Sequence, residues 1–184
     1  MPGTKQLFIL RHAKSSWDDP GLHDHDRPLA PRGRQAVKLL NTYVRAHRIE
    51  PSLVLCSSSR RTRETLDGVA PTGQSMIEPE LFTASAGGLL DRIRQIPADT
   101  PSAMVIGHNP AMQMLVLRLA APAHAPIEND EGDLATVQRK FPTGALATIT
   151  FECEWRDLAA GAGLLTGLVR PKDLNLTPRV KTPG

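Results

Sequence analysis

The 184 residues are enough for one well-buried core and short for two, so we predict a single domain over residues 1–184. Only 4% of the residues are aromatic, which argues against recognition of single-stranded nucleic acid by base stacking. The net charge of +3 is mild and the basic residues are scattered, so the composition fits a small anionic substrate and does not require a nucleic-acid partner.

The N-terminus and the cysteines predict where the protein works. Four consecutive apolar residues, 7–10, follow a polar start, and this run is too short for a signal-peptide core or a membrane span. Cys56 and Cys153 have no C-x-x-C spacing and fit reduced, buried thiols better than a disulfide framework. We therefore expect a cytoplasmic protein without a membrane partner.

Apolar runs alternate with helical patterns along the first half of the chain. The run at 7–10 predicts a first strand, and residues 31–47 carry apolar side chains at helical spacing. Between them, residues 15–28 are polar and without periodicity, which predicts a loop over the strand ends. A second buried strand is predicted at 53–56, followed by a helix that serines can cap and that ends near Ala70.

The second half of the chain repeats this order. Helical patterns at 87–96 and 110–119 flank a third apolar run at 103–106. Alternation of apolar and polar residues at 145–151 predicts a later strand, and residues 164–169 are a further candidate.

The order of strands and helices predicts the fold class. Strand, helix, strand, helix, strand, helix is typical of an α/β three-layer sandwich, with a mainly parallel central sheet and helices on both faces. Residues 122–133 are expected to be irregular, and residues 171–184 to form a surface tail.

Three of the predicted strands end in residues suited to phosphate chemistry. Arg11 and His12 follow the first strand, a segment of serines, arginines and threonines (57–65) follows the second, and His108 follows the third in a Gly-His-Asn-Pro sequence. Open α/β sheets bind ligands at the carboxyl ends of their strands, so we expect one shared pocket. Either histidine alone fits a hydrogen-bonded structural role, but two histidines with several arginines indicate a phosphate pocket.

The order of these segments resembles the histidine phosphatase superfamily, also called phosphoglycerate mutase-like, and within it the SixA-like phosphohistidine phosphatases. The resemblance includes Arg11 and His12, which are followed here by Ala13 where the family usually has glycine. It also includes an Arg-Pro-Leu sequence that begins at Arg27, with Gly33 five residues beyond the proline. The resemblance implies the three-layer fold already predicted.

The resemblance also implies roles for individual residues. The family pattern of serine, three variable residues and arginine selects Arg61 when counted from Ser57, and not Arg60 or Arg63. His12 is then the nucleophile, and guanidinium groups neutralise the phosphoryl oxygens, so no metal or other cofactor is expected. The implied catalytic residues are His12, Arg11, Arg61 and His108, with Arg27, Ser57, Asn109 and Glu80 as further substrate-binding candidates.

The expected substrate depends on whether the site has a general acid. Ester-cleaving members of the superfamily use a carboxylate, and the nearest candidates, Glu78 and Glu80, lie in no clear acid motif. A P–N bond needs less assistance, which favours a metal-independent phosphatase acting on protein phosphohistidine. The alternatives are a phosphatase for a small phosphorylated metabolite, such as a sugar or nucleotide phosphate, and a noncatalytic module that binds a phosphorylated partner.

A second cluster of chemically active side chains lies in the polar segment 15–28. His23, Asp24, His25 and Asp26 are of the residue types that bind zinc. A polar loop explains them equally well, and neither a cysteine nor a distant ligand supports a metal there. We expect no metal at this loop.

Overall fold

The computed structural model describes residues 3–120 and 132–174. The described strands are β1 (Lys5–Arg11), β2 (Leu53–Ser57), β3 (Gln74–Glu78), β4 (Ser102–Gly107), β5 (Leu146–Phe151) and β6 (Leu164–Val169). The described α-helices are α1 (Pro31–Ala46), α2 (Arg60–Val69), α3 (Ala86–Ile93), α4 (Ala111–Ala120), α5 (Asp133–Arg139) and α6 (Pro171–Leu174). Short 3-10 turns lie at Asp24–Asp26, Pro79–Phe82 and Trp155–Asp157.

The strands form one mixed sheet in the order β3-β2-β4-β1-β5-β6. β3, β2, β4 and β1 run parallel, and β5 and β6 continue the sheet in antiparallel pairs. The sheet is therefore mostly parallel, as the sequence predicts. This order places the carboxyl ends of β2, β4 and β1 next to one another.

Both faces of the sheet are covered. In β1, Leu7 and Ile9 face the buried cluster that α3, α4 and α5 complete, whereas Phe8 and Leu10 face the cluster of α1 and α2. Strand side chains alternate between faces, so one continuous apolar run supplies both cores. The predicted three-layer α/β sandwich is confirmed. Within the described ranges, no helix is long and apolar enough to cross a bilayer.

Several parts of the chain differ from the sequence prediction. β3 was not predicted, because it is an edge strand whose residues Met76 and Ile77 are exposed. α5 forms directly after the segment expected to be irregular, most of which lies outside the described residues. α6 occupies the start of the predicted tail and packs against α1, and the chain beyond Leu174 lies outside the description. Cys56 is buried as expected, but Cys153 is only half-buried.

Helix α1 approaches the backbone after β1 at Gly33. A Cβ atom at this position would lie 2.1 Å from the carbonyl oxygen of Lys14. The same oxygen accepts a hydrogen bond of 2.8 Å from the amide of Ala30, just before the helix. Only glycine permits this approach, so Gly33 sets the distance between α1 and the loop that carries His12.

Gly33→Ala should lower the free energy of unfolding by about 2 kcal/mol, because the added methyl group overpacks against a main-chain oxygen that cannot rotate away. Urea denaturation measures this change. The matched control is Gly88→Ala in α3, where the nearest atom would be 3.7 Å from the new Cβ. That substitution should be neutral or stabilising by up to about 1 kcal/mol, since alanine favours helix. Equal effects at the two positions would contradict the proposed close approach.

Candidate active site

The carboxyl ends of three parallel strands bring the two predicted site histidines together. His12 directly follows β1, His108 directly follows β4, and Ser57 is the last residue of β2. The centroids of the two imidazole rings lie 5.2 Å apart. The predicted convergence at one edge of the sheet is therefore observed.

The ring of His12 is held in one tautomer. Its Nδ1 lies 2.7 Å from the carbonyl oxygen of Ala13, and because a carbonyl only accepts, Nδ1 carries the proton. Nε2 then holds the lone pair, and it makes no hydrogen bond to the described residues. Burial, together with the charges of Arg61 and Arg11, lowers the pKa of His12 to about 3, although the Ala13 hydrogen bond opposes this shift. His12 is therefore neutral at physiological pH, with a free lone pair.

His108 is also neutral and takes the other tautomer. Its Nδ1 lies 3.4 Å from Nη2 of Arg61, and its Nε2 lies 2.8 Å from Oγ of Ser57. A guanidinium only donates, so Nδ1 accepts and the Nε2 proton is directed to Ser57. Burial and the charge of Arg61 lower the pKa of His108 to about 4. The ring of Phe82 packs edge-on against it, with centroids 5.4 Å apart.

Arg61 is the arginine of α2 that enters the site. Ser59 caps the helix by accepting the amide of Thr62, which sets Arg61 in the first turn. Arg61 is 6% exposed, whereas Arg60 points outward and pairs with Glu64. The third arginine of this helix, at position 63, is also exposed. The position selected by sequence spacing is thus the buried one.

Arg11 reaches the site from the end of β1. Its Nη1 donates to the carbonyl oxygen of Phe141 at 2.8 Å. Its Nε is buried and has no hydrogen-bond partner among the described residues. An unpaired buried donor costs on the order of 1–3 kcal/mol, and a charged one costs more.

Thr65 connects two of these segments. Its hydroxyl donates to the carbonyl oxygen of Arg61 at 2.7 Å and accepts the amide of Ala13 at 3.0 Å. The turn that carries His12 is thereby fixed to helix α2. The hydroxyl group of Thr65 therefore fixes the turn that carries His12 relative to the helix that carries Arg61.

Sequence reasoning missed the site role of Asp24. Its carboxylate accepts from Arg61 at 2.9 Å and from Arg27 at 2.8 Å, and its carbonyl oxygen also accepts from Arg61. Burial alone would raise the pKa of Asp24, but hydrogen bonds from Arg27 and Arg61 outweigh it and lower the pKa. The sequence showed Asp24 only within a possible metal cluster, and no sequence signal pointed to Phe82.

Arg27 stabilises the loop of residues 15–28. Besides Asp24, it donates to the hydroxyl of Ser15 at 2.7 Å, and its guanidinium carbon lies 3.2 Å from the ring centroid of Trp17. It makes no hydrogen bond to either site histidine. These contacts hold Arg27 within residues 15–28, and its contact to phosphate stays a prediction.

Asn109 and the two candidate glutamates make contacts of other kinds, and their roles toward substrate stay predictions. Asn109 donates to the carbonyl oxygen of Phe141 at 3.0 Å, so its amide braces the same carbonyl that Arg11 uses. Glu80 is exposed and makes no hydrogen bond or ion pair with the described residues, and Glu78 is paired with Arg92. Neither glutamate reaches a site histidine through a hydrogen bond.

The histidine and aspartate cluster of the loop does not assemble as ligands. His25 directs Nε2 to Oγ of Ser58 at 2.9 Å and Nδ1 to Asp26 at 3.2 Å, and its ring packs edge-on against Phe82. Over residues 3–120 and 132–174, no three His, Cys, Asp or Glu side chains are grouped as a metal site.

The fold and the site together define an α/β protein with an anion pocket that contains two neutral histidines and two arginines. The chain belongs to the histidine phosphatase superfamily (branch 1), whose sequence profile matches residues 7–104. This membership supports a phosphatase activity.

Relatives with known sequences and structures agree with this family. An uncharacterized protein of Mycobacterium tuberculosis is 31% identical over 163 residues, which cover 89% of this chain and 100% of that protein. The phosphohistidine phosphatase SixA of Escherichia coli K12 is 27% identical, over 80% of this chain and 86% of that protein. A structure from Nakamurella multipartitia, assigned as a phosphohistidine phosphatase SixA, is 28% identical with a TM-score of 0.82, over 93% of this chain and 99% of that one.

The ring nitrogens of His12 provide a direct test of the site electrostatics. Long-range ¹⁵N NMR should show the Nδ1–H tautomer, still neutral at about pH 5, because the folded-state pKa lies far below the ordinary value of about 6.5. His12→Gln assigns the signals by their loss. A titration midpoint near 6.5, or a proton on Nε2, would contradict the hydrogen bond to Ala13.

Proposed function

We propose that this protein is a metal-independent phosphatase that hydrolyses phosphohistidine on proteins through a covalent intermediate on His12. The observation that carries the proposal is the free lone pair on Nε2 of His12, in a buried ring flanked by Arg11 and Arg61. Binding of an anion requires the cations but not a neutral nucleophile beside them, which favours catalysis over binding alone. The proposed setting is the cytoplasm, which stays a prediction from the sequence.

In the first step, Nε2 of His12 attacks phosphorus in line, and the P–N bond of the substrate breaks. The electron pair of that bond stays on the departing imidazole, which leaves neutral when its other ring nitrogen carries a proton. Arg11 and Arg61 stabilise the negative charge on the equatorial oxygens.

In the second step, water attacks the phosphoryl group on His12. The new P–O bond forms as the P–N bond breaks, and the electron pair returns to Nε2. The proton of the water goes to the phosphate product. Nδ1 keeps its proton throughout and continues to donate it to the carbonyl oxygen of Ala13, so the ring returns to its starting tautomer.

No carboxylate among the described residues makes a hydrogen bond to His12 or His108, which supports a P–N substrate. Asp24 is kept ionised by two arginines, and Glu78 is held by Arg92. An alkoxide leaving group needs a proton as it departs, whereas an imidazole needs less assistance. The name of the Escherichia coli relative agrees with this substrate class, and a SixA structure with the same fold was solved with tungstate, a phosphate-like anion.

His12→Ala should abolish turnover of a phosphohistidine peptide but leave tungstate affinity within about tenfold, because both arginines remain. Single-turnover hydrolysis and calorimetric titration with tungstate measure the two effects. His47→Ala is the control, since this exposed histidine stacks on Tyr43 in α1.

Retained turnover in His12→Ala would show that His12 is not the nucleophile. Loss of activity on chelation that zinc restores would replace the proposal with metal chemistry. Robust hydrolysis of sugar or nucleotide phosphates without any phosphohistidine activity would favour the small-metabolite alternative.

Arg61→Ala should lower kcat by on the order of 10²-fold, because one donor to the transition-state oxygens is lost. Arg60→Ala removes the same charge from the exposed face of α2 and should have little effect. Asp24→Asn removes the negative charge that pairs with Arg61 and keeps the guanidinium, which separates loss of the donor from loss of the ion pair. A larger effect of Arg60→Ala than of Arg61→Ala would contradict the assignment.

A further inference from the structure

A cleft of about 840 Å³ opens beside the active site. Arg11 lines it, but His12, His108 and Arg61 do not. The other walls come from the start of α1, the end of α5 with the loop after it, and the start of α6. The cleft is thus a separate space that shares one arginine with the proposed phosphoryl site.

The charges that line this cleft are of one sign. Its described lining contains seven Lys or Arg residues and neither Asp nor Glu. Lys14, Arg32, Lys140 and Lys172 are exposed and make no ion pair with described residues. Arg170 is paired with Asp173 at 2.8 Å and contributes less. The four unpaired cations, Lys14, Arg32, Lys140 and Lys172, repel one another, so this surface favours an anionic ligand.

The size of the cleft indicates more than one phosphoryl group. The transferred group is already served by Arg11 and Arg61. A space of about 840 Å³ lies in the size range that holds a whole ligand or a peptide segment. The ligand should therefore carry negative charges beyond the group that is hydrolysed.

The mixture of apolar and charged residues in the lining distinguishes a protein ligand from a small polyanion. Ala36, Leu39, Pro142 and Pro171 line the cleft and are half-buried, whereas the four unpaired cations are exposed. Apolar contact area bordered by exposed charges is the pattern of a protein interface. A polyphosphate would instead need cations that converge on its oxygens.

We propose that this cleft docks an acidic segment of the phosphorylated protein substrate, so that carboxylates bind the exposed cations while phosphohistidine enters the active site. This inference rests on the proposed function for its substrate. Attraction between the exposed cations and the carboxylates steers association, so kcat/KM is raised more than kcat and falls with added salt.

The experiment compares two synthetic phosphohistidine peptides, one flanked by glutamates and one by glutamines, with free phosphohistidine as a third substrate. At low salt the protein should hydrolyse the acidic peptide with kcat/KM on the order of tenfold higher. The double variant Arg32→Glu/Lys140→Glu should lose this preference, with free phosphohistidine hydrolysis unchanged. The control Arg45→Glu/Arg118→Glu makes the same charge change at exposed helix positions outside the cleft and should keep the preference.

Binding of the unphosphorylated acidic peptide, measured by fluorescence anisotropy, tests docking without activity. The unchanged protein and the control variant should bind it, and Arg32→Glu/Lys140→Glu should not. If no phosphohistidine substrate is hydrolysed but this binding pattern holds, the proposed function fails and the docking surface stands. The docking proposal would be overturned if the glutamate-flanked and glutamine-flanked peptides were bound with equal affinity or hydrolysed with equal kcat/KM. It would also be overturned if the protein bound tripolyphosphate but not the acidic peptide.

Discussion

Burial of two uncharged imidazoles beside two guanidinium groups is the interaction on which the site depends. A protonated ring next to Arg11 and Arg61 would be repelled, and burial removes the water that would otherwise stabilise its charge. The pKa values of His12 and His108, about 3 and about 4, express both effects. Both rings therefore stay uncharged beside the arginines, and the lone pair of His12 remains available.

The fold maintains this arrangement through backbone carbonyls and a few hydroxyls. The carbonyl oxygen of Phe141 accepts from Arg11 and Asn109, and the hydroxyl of Thr65 joins the turn after β1 to helix α2. Close packing at Gly33 holds α1 against the same turn. Residues without chemistry of their own thus determine where the reactive groups lie.

The sequence predicted the parts of the fold that depend on local pattern. Continuous apolar runs and helical spacing marked the buried strands and the long helices. Strand ends marked His12 and His108, and the family spacing counted from Ser57 selected Arg61. β3 was not predicted, because an exposed edge strand has no buried face that would impose an apolar pattern on its sequence. The hydrogen-bond partners of Arg27 and Asn109 lie in a loop and at a distant backbone carbonyl. Residue type and spacing do not encode how the chain brings these groups together. The site role of Asp24 was not predicted for the same reason.

The carboxylate of Asp24 gives the anion pocket an internal competitor. It occupies Arg61 in the free protein, so a phosphoryl group must displace it to use the full guanidinium. When inorganic phosphate leaves, the carboxylate can return, and the buried cation does not have to remain without a counterion. Under the proposed function this exchange would lower the cost of releasing the product, and the loop that carries Asp24 would then set the affinity for phosphate together with the arginines.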